Sequence, residues 1–242
     1  MQAVILAGGL GTRLWPLTLE VPKPMVPVAG APYLEHQLRL FKKQQISDIL
    51  LLTGYLGNQI EEYFGDGSQL GLTIRYSREA EPVGTAGALR QAAEYLADSF
   101  LLIYGDSYLP MPYAVVFERL QASDARGLVV VYDNRLGDSS VKNNIAVDND
   151  GYVTRYAKDV EGDSSLAYVE AGILGFRRNI VELIPAEGSV SLEKEIFPVL
   201  IARRELIAVA TTLKFYDIGT PERLRTIENL LLHDHHSHTI SN

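Results

Sequence analysis

Residues 7–24 read AGGLGTRLWPLTLEVPKP and follow directly on the apolar run Ala3, Val4, Ile5 and Leu6. A short β-branched run that breaks into glycines predicts a buried strand opening onto a loop whose backbone approaches a ligand closely. Gly8, Gly9 and Gly11 leave backbone amides unshielded by side chains, which suits an anion-binding concavity. Arg13 adds a planar, permanently charged fork of donors matched to phosphate oxygens. Lys23 sits between Pro22 and Pro24, whose restricted backbone holds its ammonium in place. One loop thus offers amides, a guanidinium and an ammonium, and phosphate is the natural ligand.

Two commoner phosphate motifs do not fit this loop. No GxxxxGK[ST] string occurs anywhere in the chain. The pattern GxGxxG accepts Gly9 and Gly11 but meets Leu14 where its third glycine belongs. A plain glycine turn with a solvated Arg13 is the bland alternative, and the added TR and PKP elements weigh against it.

The remaining chain frames this site. Its 242 residues are 47% hydrophobic, enough for a substantial core in one large α/β domain or two small ones. Net charge is -8, with no basic run longer than two residues, which argues against a nucleic-acid surface. Cysteine is absent, so neither a disulfide scaffold nor a zinc-thiolate site is possible. No stretch has the length and apolarity of a membrane span, and the N-terminus lacks the regions of a signal peptide, so no membrane partner is expected and cytoplasm is the expected location.

Apolar periodicity predicts helices at 33–43, 58–64, 86–96, 113–120, 192–202 and 221–232, and strands at 48–53, 72–76, 100–104, 128–132, 168–176 and 206–211. Ile145 and Val147, then Asn149-Asp150-Gly151, then Val153, predict a β-hairpin. Alternating strands and helices imply βαβ units with helices on both faces of a mostly parallel sheet, where ligands bind beyond the carboxyl ends of the strands. The glycine loop and Asp106 both fall there. With no repeat and no linker, residues 1–232 are expected to form a single domain and 233–242 a His-rich polar tail, whose histidines read as a terminal segment rather than a metal site.

GGLGTRLWPLTLEVPKPMVPVAGAP resembles the opening of the sugar-1-phosphate nucleotidylyltransferases, the NDP-sugar pyrophosphorylases. EPVGTAGAL at 81–89, YGDS at 104–107 and YDIGTPERL at 216–224 extend the likeness over most of the chain. The resemblance implies a Rossmann-like nucleotidyltransferase fold, a mixed, mostly parallel sheet with a small sugar-binding lobe. It implies attack by a sugar 1-phosphate on the α-phosphorus of a nucleoside triphosphate, with release of pyrophosphate. On this likeness Leu6, Gly8, Gly9, Gly11, Thr12, Glu79, Gly84 and Thr85 bind the nucleotide, and Arg13 and Lys23 act on the reacting phosphates. Asp106 and Asp217 hold Mg²⁺, which ordinarily takes one or two carboxylates together with substrate phosphates.

Lys158 matches the lysine of the family's EKP element, but here the string is AKD, with Ala157 in place of the sugar-reading glutamate. Glu170 and Asn144 complete the sugar-phosphate set that the resemblance implies. Glu79 stands where thymidylyl members carry glutamine. A carboxylate only accepts hydrogen bonds, so it suits guanine N1–H and N2–H₂ or a pyrimidine N3–H. Together with the likeness of EPVGTAGAL to mannose and manno-heptose guanylyltransferases, this favours GTP, with uridylyl or thymidylyl transfer to glucose 1-phosphate as the alternative. A glycosyltransferase is expected to carry a DxD element, which Gly105-Asp106-Ser107-Tyr108 lacks. A non-catalytic regulatory subunit of the same fold is expected to lose Arg13, Lys23 or a metal aspartate, and all are present. A homo-oligomer is compatible with the sequence.

Overall fold

A computed structural model describes residues 1–158, 160 and 163–239, with the side chains of 234–239 excepted. Strand β1 (Gln2–Ala7) is followed by two short paired strands, β2 (Pro27–Val28) and β3 (Ala31–Pro32), and by helix α1 (Tyr33–Lys43). Next come β4 (Asp48–Thr53), α2 (Gly57–Phe64), β5 (Thr73–Arg78), α3 (Gly84–Gln91), β6 (Ser99–Tyr104) and the two-residue β7 (Ser107–Tyr108). The second half holds α4 (Ala114–Gln121), β8 (Gly127–Tyr132), the hairpin β9 (Ile145–Val147) and β10 (Val153–Tyr156), and β11 (Val169–Arg177). It closes with α5 (Phe197–Ala202), β12 (Leu206–Thr211), β13 (Tyr216–Asp217) and α6 (Pro221–Thr239).

Seven strands form the main sheet in the order β12-β8-β11-β6-β1-β4-β5. Only β11 runs antiparallel to its neighbours, β6 and β8. Alternation along each strand divides the core between two faces. Ala3, Ile5, Ile49, Leu51, Leu101 and Ile103 pack with Leu34, Leu38 and Phe41 of α1 and Val116 and Phe117 of α4. Val4, Leu50, Leu52, Leu102, Val129 and Val131 pack on the opposite side with Leu89 of α3 and Phe197 and Leu200 of α5. With helices over both faces, the strand ends and their loops carry the site.

Three elements differ from the sequence expectation. The segment predicted as one helix over 192–202 is a π-helical turn at Leu192–Ile196 followed by α5. Pro198 has no N–H to donate to the turn before it, which interrupts the α-helical ladder there. The helix expected over 86–96 starts at Gly84 and gives way after Gln91 to a 3₁₀ turn at Ala93–Tyr95. Helix α6 runs on to Thr239 rather than ending near Leu232, as no glycine or proline interrupts 222–239. Within the expected tail, His233 Nδ1 lies 2.6 Å from the Asn229 carbonyl. The other tail histidines lie outside the described side chains.

One irregularity places a site residue. Between Glu170 and Leu174 the β11–β8 register shifts: Glu170 faces Val131, whereas Leu174 faces Val129. Four steps along β11 thus match two along β8, as in a bulge. Gly172 sits in this bulge at φ +78°, and a Cβ there would stand 2.6 Å from Cβ of Ser107. Gly151, also left-handed at φ +87°, has open space around it. We expect Gly151→Ala to cost about 1 kcal/mol and Gly172→Ala about 2–4 kcal/mol, because only the second adds a clash to the backbone strain. Urea unfolding of both variants measures the difference.

Candidate active site

The loop after β1 lies at the carboxyl edge of the sheet, against a cavity of about 400 Å³. Leu6, Gly8, Gly9, Gly11, Thr12, Arg13, Lys23, Glu79, Gly84, Thr85 and Asp106 all line it, so most of the residues expected to meet nucleotide or metal come together on one wall system. The loop is pinned from inside. The Thr18 hydroxyl donates to the Gly11 carbonyl at 2.8 Å, and the amide of Leu14 donates to the same oxygen at 2.9 Å.

Asp106 follows β6 and forms an ion pair with Lys23, whose side chain is 12% exposed against 27% for Asp106. The pairing of β13 with β7, Asp217 opposite Ser107, brings the second aspartate beside the first. Ile218 N donates to the Asp106 carbonyl at 3.1 Å, and the Tyr33 hydroxyl donates to the same carbonyl oxygen at 3.1 Å. Burial pushes the Tyr33 phenol well above its ordinary value, and the charges of Asp106 and Asp217 both add to that shift. Asp217 Oδ1 accepts from Gly219 N at 2.6 Å, and Oδ2 accepts from Arg223 Nη1 at 2.8 Å. Arg13 reaches the same corner: a Cβ on Gly219 would stand 3.2 Å from both of its terminal nitrogens.

Glu79 lies over the start of the loop. A Cβ on Gly8 would stand 2.7 Å from its Oε1, and its Oε2 accepts from Val83 N at 3.2 Å. Burial raises its pKa, and the Val83 amide acts against the rise. Gly84, at φ +79°, opens α3 where a Cβ would stand 2.8 Å from the carbonyl carbon of Val190. Thr85 lines the cavity, yet its hydroxyl is already engaged, donating to Glu193 Oε2 at 3.1 Å and accepting from Leu192 N at 2.8 Å.

The three residues expected on the sugar side form a second group. Asn144 Oδ1 accepts from Glu170 N at 2.9 Å, so its side chain braces β11. Glu170 is 8% exposed, and its Oε2 accepts from the Tyr156 hydroxyl at 2.7 Å. Burial raises the Glu170 pKa, although Lys158 and Tyr156 counteract it. The Lys158 ammonium lies 3.8 Å from Glu193 Oε1 and 5.7 Å from the centre of the Tyr156 ring.

Tyr104, Glu193 and Arg223 have no part in the sequence expectation, yet they join these groups. The Tyr104 hydroxyl donates to Glu193 Oε1 at 2.7 Å, and Tyr104 lines the cavity next to Gly105-Asp106. Burial alone would raise the Glu193 pKa, but the hydroxyl of Tyr104 and the charge of Lys158 outweigh it and leave the carboxyl below its ordinary value. Tyr104 was legible as the residue before the GD element. Glu193 was not, because its segment reads as a core-facing amphipathic helix.

Comparison with known proteins gives the family of the chain. The family model described as nucleotidyl transferase matches residues 2–234. The mannose-1-phosphate guanylyltransferase of Mycobacterium tuberculosis is 34% identical over 227 residues, covering 92% of this chain and 62% of that protein. The chain thus spans about three-fifths of that relative's length. The D-glycero-alpha-D-manno-heptose 1-phosphate guanylyltransferase of Campylobacter jejuni is 30% identical over 225 residues, covering 92% of this chain and 96% of that one. The crystal structure of HddC from Yersinia pseudotuberculosis superposes with a TM-score of 0.79 at 26% identity, covering 95% of this chain and 99% of that chain. HddC has also been solved in complex with GMP-PN. The match over residues 2–234, nearly the whole chain, makes this protein a member of the nucleotidyl transferase family.

Proposed function

We propose that the protein transfers a guanylyl group from GTP to mannose 1-phosphate or a manno-heptose 1-phosphate, releasing pyrophosphate and forming a GDP-sugar. The observation that carries this reading is the convergence of the glycine loop, Arg13, Lys23 and Asp106 on one cavity, with Asp217 paired beside Asp106 through β13 and β7. The guanylyltransferases named above support the choice of base and sugar. Phosphoryl chemistry of this type needs two anions held in line and the developing charge neutralised, with little covalent help from the protein.

Each part follows from its position. The amides of the loop and the Arg13 guanidinium hold the triphosphate, and Arg13 meets the pyrophosphate as charge gathers on it. Lys23 faces the α-phosphate, while Lys158 faces the phosphate of the sugar. Asp106 and Asp217 fit a hard divalent cation: they offer oxygen only, and they lie on paired strand ends. Among the described residues no cluster of three or more His, Cys, Asp or Glu makes a ready-made cage, and a cation on these two aspartates would need substrate phosphates as further ligands. Asp106 and Asp217 would hold Mg²⁺, which would supply charge neutralisation at the reacting phosphate. On the base side, Glu79 lines the cavity with Oε1 set against Gly8 and Gly54, while Oε2 takes the Val83 amide along one of its lone pairs.

Asp106→Asn and Asp217→Asn should each lower kcat by about a hundredfold or more while the chain still folds, since each halves the protein charge facing the metal. Pyrophosphate release at saturating Mg²⁺ with GTP and mannose 1-phosphate measures this, and near-wild-type rates would remove the metal assignment.

Glu79→Gln turns one acceptor into a donor facing a guanine donor. It should reduce kcat/KM for GTP by about ten- to a hundredfold, a loss of roughly 1–3 kcal/mol, and spare UTP and dTTP. A panel of nucleotides against wild type and variant decides the base. Equal losses for all three would show that Glu79 does not read it.

A further inference from the structure

Gln37 is 2% exposed, on the same helix that gives Leu34, Leu38 and Phe41 to the core. Its Nε2 donates to the carbonyl of Tyr104 at 3.2 Å and also to the carbonyl of Ser107. Its Oε1 is buried and has no hydrogen-bond partner among the described residues. Turning the amide over would set that oxygen against two carbonyls, so the partners themselves fix its orientation. An apolar side chain would fill the same place without stranding an acceptor. What the glutamine adds is a clamp across residues 104–107, and Asp106 lies inside it.

The clamp has further parts. Tyr33 stands four residues before Gln37, on the same face of α1, and is fully buried. Its hydroxyl donates to the Asp106 carbonyl at 3.1 Å, and Ile218 N donates to the same oxygen at 3.1 Å. Gly105 N donates to the Leu6 carbonyl at 2.9 Å, which ties the turn to β1. The carbonyls of Tyr104, Asp106 and Ser107 and the amide of Gly105 are thus all engaged. Three successive carbonyl planes around the aspartate are held by other elements, and the peptide between Gly105 and Asp106 is strung between two of them. The Cα–Cβ bond of Asp106 therefore has one direction, and only the side-chain torsions remain to place its carboxylate.

We propose that Gln37 is a positioning residue for Asp106: its amide fixes the turn from which the carboxylate is presented to a divalent cation. This rests on the reading above in which Asp106 holds Mg²⁺. Gln37 does not line the cavity and acts through the backbone of residues 104–107.

The test measures GTP binding by calorimetry without a sugar 1-phosphate, so that no turnover occurs, once with Mg²⁺ and once with EDTA. The ratio of the two Kd values is the coupling between metal and nucleotide. In wild type Mg²⁺ should tighten GTP about tenfold or more. In Gln37→Leu, which has similar volume and no donor, that gain should fall to about threefold or less, while Kd in EDTA stays within about threefold of wild type. Gln44→Leu is the control. Gln44 also ties α1 to the chain beyond it, with Nε2 donating to the Met111 carbonyl at 2.9 Å and Oε1 accepting from Tyr113 N at 2.8 Å, but it holds none of residues 104–107. Its variant should lose stability and keep the wild-type coupling. Full coupling in Gln37→Leu, or an equal loss in Gln44→Leu, overturns the proposal, because the glutamine then serves stability alone. If Gln37→Leu does not fold, Gln37→Glu, which has at most one proton for two carbonyls, takes its place with the same expected fall and the same overturning result. Failure of the metal reading looks different: wild type itself then binds GTP equally with and without Mg²⁺, and the proposal falls with it.

Discussion

The site depends on one pairing, two residues long. Strand β13 lies antiparallel to β7, setting Asp217 opposite Ser107 and therefore beside Asp106. Two carboxylates brought together repel each other unless cations stand between them. Lys23 answers Asp106, Arg223 answers Asp217, and Arg13 lies across Gly219 from the same corner. The glycine loop that begins the chain and the helix that ends it are both held to this corner by charge, while Val28, Tyr33, Tyr108, Ile218 and Ile227 pack a small separate core beneath.

Arg223 extends the constraint outward. Its Nη2 donates to the Ser140 carbonyl at 2.6 Å, in a segment that Asn134 braces through the Val141 carbonyl and Asn143 Oδ1. Asn144, the next residue, accepts from the backbone of Glu170. Hydrogen bonds and the chain between them therefore link Asp217, a metal-binding candidate, to Glu170, a candidate for sugar.

Much of this was legible in the residues. Parallel strands buried on both faces read as unbroken apolar runs, and Asp48–Thr53 and Leu206–Thr211 have the bounds that their hydrophobicity marks. The phosphate loop is local, so its glycines, Arg13 and Lys23 declare themselves within one stretch. The sugar side is not local. Glu193 depends on a π-helical turn that periodicity reads as ordinary helix, and Glu170 depends on a bulge that alternation along β11 does not reveal. Thr85 shows the same limit from the other direction: its place in the cavity wall follows from GTAGAL, but the engagement of its hydroxyl with Glu193 follows only from the fold.

The bulge in β11 has a consequence for how such a site changes over generations. Regular pairing resumes on both sides of it, with Val169 opposite Tyr132 and Leu174 opposite Val129. Toward β8, residues 171–173 lie between the pairings of Glu170 and Leu174, with Ala171 and Ile173 buried in the core and Gly172 against Ser107. If Glu170 meets the sugar as proposed, change there falls on that one position, because Ala171 and Ile173 are tied to the core and Gly172 to Ser107.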